Sequence, residues 1–131
     1  MADTYEIDST FVHLGADRST VPLEVTETFW SDLVSGRLSN LAPGRMLSCF
    51  EFDGPWDSWE VHPKGDEIVF LLSGRVEMTL ERPDGGTEEV AMSRPGEFVI
   101  LPRGTWHTAR TDVATRMLFI TDGEGTEHRP V

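Results

Sequence analysis

The sequence predicts an all-β fold of short antiparallel strands, and three observations carry that reading. Residues 75–80 alternate cleanly, with Val76, Met78 and Leu80 on one face and Arg75, Glu77 and Thr79 on the other, the period of a half-buried strand. Turn signals then separate the apolar runs: Pro63-Lys64-Gly65, Pro83-Asp84-Gly85-Gly86 and Pro102-Arg103-Gly104. Helical spacing is confined to one short stretch, residues 26–38.

From the N-terminus, residues 1–23 read as an extended lead without a clear period. Within it, Val21-Pro22-Leu23 suits a turn or an edge segment, because proline cannot donate to a sheet ladder. His13 falls in this lead and reads as a surface or packing histidine. In residues 26–38, Phe29, Trp30, Leu33 and Val34 recur at helical spacing, with Thr26 or Thr28 as N-cap and Gly36 near the stop. The aromatic pair is expected to form a lid against the sheets. Residues 45–52 then form a strand with Met46, Ser48, Phe50 and Phe52 on one face and Leu47, Cys49 and Glu51 on the other. Cys49 has no histidine or aspartate close in sequence to activate it and is expected to be a small buried thiol. Residues 68–72 and 117–120 are apolar on both faces, so their outer faces need cover, from the N-terminal helix or from another subunit. Residues 88–92 return as the partner of 75–80. After Thr121 the chain is Gly-rich and polar and reads as a mobile terminus, the alternative being that His128 and Arg129 fold back over the mouth of the fold. The expected organisation is one domain: an N-terminal arm over 1–45 with a short helix and an edge strand, a core over 46–121 and a tail over 122–131.

Chemistry concentrates in residues 54–74 and 96–111. Strand parity places Glu60 and His62 on one face, and the Pro63-Lys64-Gly65 turn returns the chain so that Glu67, opening the next strand, can join them. His107 follows the Pro102-Arg103-Gly104 turn at the start of another strand and offers a fourth ligand. Imidazole and carboxylate donors on rigid strands suit divalent first-row ions. The competing reading is that Glu60 pairs with Lys64 or an arginine instead of ligating.

Both stretches resemble the cupin family. Its first motif, G-x5-H-x-H-x4-E-x6-G, is matched by Gly54, His62, Glu67 and Gly74, with Glu60 where the first histidine is usual. The second, G-x5-P-x-G-x2-H-x3-N, is matched by Gly96, Pro102, Gly104 and His107, with Thr111 in place of asparagine. The resemblance implies an antiparallel double-sheet β-barrel of the jelly-roll type, with one divalent metal near its centre held at positions 60, 62, 67 and 107. It also implies a homodimer, since cupins often pair through their outer sheets. The departure at Glu60 matters most. Two Glu and two His neutralise a divalent cation that three His and one Glu would leave positive, which favours iron or manganese while zinc remains open.

Composition bounds the rest. A chain of 131 residues is the size of one domain. Its net charge of −12 argues against nucleic acid or an anionic membrane surface as partner. The lone Cys49 and the acidic N-terminus without a basic apolar leader point to a cytoplasmic protein. Parity extends the pocket to Trp56, Ser58, Val69 and Ala109, a partly aromatic surface for a small organic molecule bearing one oxygen donor. Three readings follow: a metal-dependent enzyme of the oxygenase or the isomerase, cyclase or lyase type, in which Glu60 ligates or acts as a general base; a non-catalytic module that binds or senses a small ligand; or a structural protein whose metal only staples the fold.

Overall fold

A computed structural model describes residues 2–36, 41 and 43–131. Among the described residues, eleven strands and one helix follow in chain order: β1 (Thr10–Gly15), β2 (Thr20–Glu24), α1 (Phe29–Val34), β3 (Gly44–Phe52), β4 (Ser58–Val61), β5 (Glu67–Ser73), β6 (Val76–Glu81), β7 (Thr87–Met92), β8 (Phe98–Leu101), β9 (His107–Arg110), β10 (Thr115–Thr121) and β11 (Glu127–Pro130). All pairings are antiparallel. One sheet has six strands in the order β2-β1-β3-β10-β5-β8, the other five in the order β11-β4-β9-β6-β7. Among the described residues no helix is long and apolar enough to cross a membrane.

The two antiparallel sheets of the expected double-sheet β-barrel are present, and the barrel itself is corrected by this topology. Among the described residues no ladder joins the two sheets, whose outermost strands are β2 and β8 in one and β11 and β7 in the other. They pack face to face instead, because the chain changes sheet at its corners rather than continuing one ladder round. The β5–β6 corner is one such point. Gly74 adopts φ 82°, and a Cβ there would meet the Ala114 carbonyl oxygen at 2.5 Å. Only glycine fits that approach. The Thr111 hydroxyl donates to the Arg75 carbonyl at 2.6 Å and ties the same corner.

Alternation puts one face of each strand between the sheets. Val69 and Leu71 from β5, Val76, Met78 and Leu80 from β6, and Met117 and Phe119 from β10 are buried in one cluster with Met92, Leu101 and Ala109. Each Å² of apolar surface this cluster removes from water contributes roughly 25 cal/mol toward holding the two sheets together. The outward residues Phe98 and Ile100 of β8 remain exposed beside Phe70.

The termini differ from expectation. The N-terminal lead contains a regular hairpin, β1 on β2 from Thr10↔Glu24 to Leu14↔Thr20, with Pro22 on the outer edge strand where its missing N–H costs no ladder bond. The tail is a strand: β11 pairs with β4 from Glu127↔Val61 to Pro130↔Ser58. The helix spans six residues; Thr28 occupies its N-cap position without a side-chain cap, and Gly36 follows it with φ 81°. Arg37 and Leu38, the end of the expected helical stretch, lie outside the described residues. The lid is present: Trp30 stacks on Phe50 with ring centroids 5.7 Å apart, and Phe29 meets Phe11 edge-on at 5.4 Å.

Candidate metal centre

Residues 60, 62, 67 and 107 come together at the end of the space between the sheets. Glu60 lies on β4 directly opposite His107 of β9, His62 follows β4 on the same face, and Glu67 is the first residue of β5 in the facing sheet. The Nε2 atoms of His62 and His107 stand 3.4 Å and 3.3 Å from the two oxygens of Glu67. Glu60 Oε2 is 3.7 Å from His62 Nε2, and one donor atom each of Glu60, His62 and His107 falls within 4.8 Å of the others.

Neighbouring groups determine which atoms face inward. Thr126 Oγ1 donates its own hydrogen to the Gly123 carbonyl at 2.9 Å, so it accepts from His62 Nδ1 at 2.8 Å. His107 Nδ1 donates to the Thr105 carbonyl at 3.0 Å. Both rings therefore carry their proton on Nδ1 and turn an Nε2 lone pair into the site. Thr121 donates to Glu67 Oε2, leaving Oε1 bare. His62 Nε2, Glu67 Oε1 and His107 Nε2 are consequently buried without a hydrogen-bond partner among the described residues.

Burial holds His62 below its ordinary pKa despite the opposing charge of Glu67. Burial also opposes charging of His107, but the adjacent Glu67 carboxylate outweighs it and holds that ring above its ordinary value. With both rings neutral the three converging acceptors have no donor among them, and the pull of Glu67 for a proton on His107 marks a point that attracts positive charge; a divalent cation satisfies all three acceptors. The donor set fits a divalent ion.

Glu60 is less enclosed. Besides His62, the Glu60 carboxylate meets His128 of β11, with Nε2 3.2 Å from Oε1, and among the described residues it pairs with neither Lys64 nor an arginine. The site opens into a cavity of about 1130 Å³ whose lining includes Trp30, Phe50, Phe52, Trp56 and Phe119. Trp56 and Ser58 line it, and Trp56 meets the His107 ring edge-on at 6.2 Å. Val69 and Ala109 do not; two residues further along their strands from Glu67 and His107, they are sealed in the core. His13 is buried and lines the cavity, facing Met46 across the β1–β3 ladder. Cys49 is buried, and burial pushes its thiol up, which keeps it protonated and inert.

Sequence reasoning did not find Thr121, Thr126 or the Glu60 contact of His128. Glu127 to Pro130 carries no apolar alternation that would mark a strand, and nothing local states which strand it pairs with.

The cupin domain profile matches residues 46–127. The chain belongs to the cupin family. A curated relative, the uncharacterized protein YdbB of Bacillus subtilis (strain 168), is 32% identical over 69 residues, which cover 53% of this chain and 56% of that protein. This cupin thus spans little more than half of that relative's length. Among solved structures it is similar in fold to hydroquinone 1,2-dioxygenase from Sphingomonas sp. TTNP3 with 4-hydroxybenzoate bound, with TM-score 0.50, 17% identity and coverage of 59% of this chain and 58% of that one. It is also similar to Fe(II) HppE in complex with substrate, with TM-score 0.51, 13% identity and coverage of 61% and 43%.

Proposed function

We propose that this cupin holds one divalent metal ion and acts on a small organic molecule in the cavity above it. The observation that supports this most is the trio of buried, partnerless acceptors, His62 Nε2, His107 Nε2 and Glu67 Oε1. In this reading those residues hold the ion, and Glu60 presents Oε2 as a fourth ligand whose charge completes neutralisation. A bound ion would supply Lewis acidity toward an oxygen donor or, as iron or manganese, oxidation chemistry with dioxygen. Trp56, Phe50 and Phe119 hold the apolar body of the ligand and exclude water, and Ser58 offers a hydroxyl at the wall. Glu60, partly exposed, is the residue positioned to accept a proton from a ligand when it is not bound to the ion.

The apolar outer face of Phe70, Phe98 and Ile100 supports a homodimer, and the free Cys49 supports a reducing, cytoplasmic setting. Elemental analysis of protein purified without chelator or metal-affinity tag tests the central claim. About one equivalent of iron or manganese leads to an oxygen-uptake screen, whereas zinc selects the isomerase, cyclase or lyase branch. Failure to take up metal on reconstitution would replace the enzyme with a ligand-binding module.

A further inference from the structure

Each of the four candidate ligands has a supporting group behind it, and for three of them that group comes from the last eleven residues of the chain. Thr121 serves Glu67, Thr126 serves His62 and His128 serves Glu60. His107 alone is served from its own turn, by the Thr105 carbonyl. The two threonines touch residues that are almost wholly buried and have few other conformations open to them. Glu60 differs, with its side chain 30% exposed and able to turn out to water. Resting on the metal-site reading above, we propose that His128 is the positioning residue of Glu60, holding one carboxylate oxygen so that only the other faces the ion.

The geometry for this is complete. His128 stands directly opposite Glu60 in the β11–β4 ladder, so the two side chains project from the same face of the sheet. An ionised carboxylate only accepts hydrogen bonds, so His128 Nε2 donates to Oε1 across 3.2 Å. Oε2 is left 3.7 Å from His62 Nε2, on the side of the imidazoles. The register that brings His128 here is pinned from the opposite face. Arg129 lies over Trp59 at 5.1 Å and over Trp106 at 4.5 Å, and pairs with Glu81. One residue of the strand thus anchors it while its neighbour reaches the site, the ordinary consequence of side-chain alternation.

A carboxylate committed to one oxygen leaves room at the ion for a ligand atom that a two-oxygen chelate would occupy. Without His128, Glu60 has two alternatives, chelation through both oxygens or release to water. Either one changes the coordination that the ion sees.

The test uses the full chain, freed of metal and titrated with Co(II), whose visible absorption reports coordination number; affinity is measured by competition with a chromophoric chelator. A wild-type chain that binds no Co(II) overturns the metal-site reading itself. Where wild type binds one equivalent, His128→Phe is expected to weaken affinity about 10- to 100-fold, the usual cost of losing an outer-shell partner, and to alter the absorption spectrum. His128→Gln, whose amide N–H can donate to Oε1, is expected to retain the wild-type spectrum and most of the affinity. His128 is half exposed, so the metal-free melting temperatures of both variants should match wild type. Wild-type affinity and spectrum in His128→Phe would overturn the inference. So would an equal loss in both variants, which would reduce His128 to an anchor of the strand.

Discussion

His62 and His107 offer the same atom to the same site, yet they are supported in opposite ways. His107 is 1% exposed, opens its own strand, and takes its orientation from a carbonyl two residues earlier. His62 precedes a turn and is oriented by Thr126, 64 residues away, at the start of the C-terminal segment. One half of the site is built by local sequence; the other half exists only once β11 has docked on β4. The first should tolerate distant changes that the second does not.

Removing either imidazole should have the largest effect and show the two halves to be equal in the end. His62→Ala and His107→Ala are each expected to abolish stoichiometric metal while the far-ultraviolet spectrum stays that of a β protein. Stoichiometric metal in both variants, by elemental analysis, would dismiss the site. The comparison sharpens one step out. Thr126→Val should lower metal affinity about 10- to 100-fold by leaving His62 Nδ1 without an acceptor. Thr105→Val keeps the carbonyl that His107 uses and should change affinity less than about twofold; chelator competition on the two proteins distinguishes them, and equal losses would break the contrast.

Glu60→Gln retains one carbonyl oxygen but loses the charge. A shift in metal preference toward softer ions, read by competition between manganese and zinc, is expected if Glu60 ligates, and unaltered preference places it outside the coordination sphere. Phe98→Glu with Ile100→Glu should turn a dimer into a monomer in analytical ultracentrifugation without touching the site; a wild-type chain that already sediments as a monomer removes the dimer from the proposal. The smallest effect belongs to Arg129→Ala. It removes an ion pair and two cation–π contacts at a partly exposed position, a loss of about 1 kcal/mol, visible as a melting temperature a few degrees lower.

The strands that carry Glu60, Glu67 and His107 were legible because their evidence is local: a period of two, a turn of proline and glycine, a polar residue where the apolar run begins. The inward faces of β6 and β10 were legible for the same reason. Val69 and Ala109 went astray under the same rule, since parity names a face and not a depth, and two residues past the ligands the face has already passed into the closed core. The N-terminal hairpin was hidden by a histidine, His13, on a buried position of β1, and the C-terminal strand by a glycine-rich approach that ordinarily marks a loose end.

Sequence alone thus determined the class of fold, the candidate ligands and the order in which they arrive, all properties of residues a few positions apart. The tertiary structure decided that the two sheets stay open rather than closing into a barrel. It also decided that the tail becomes an edge strand, and that Thr126 and His128 stand behind His62 and Glu60. Those are matters of register between segments more than sixty residues apart. Such register is selected by the packing of whole faces against one another, and no local period in the chain encodes it.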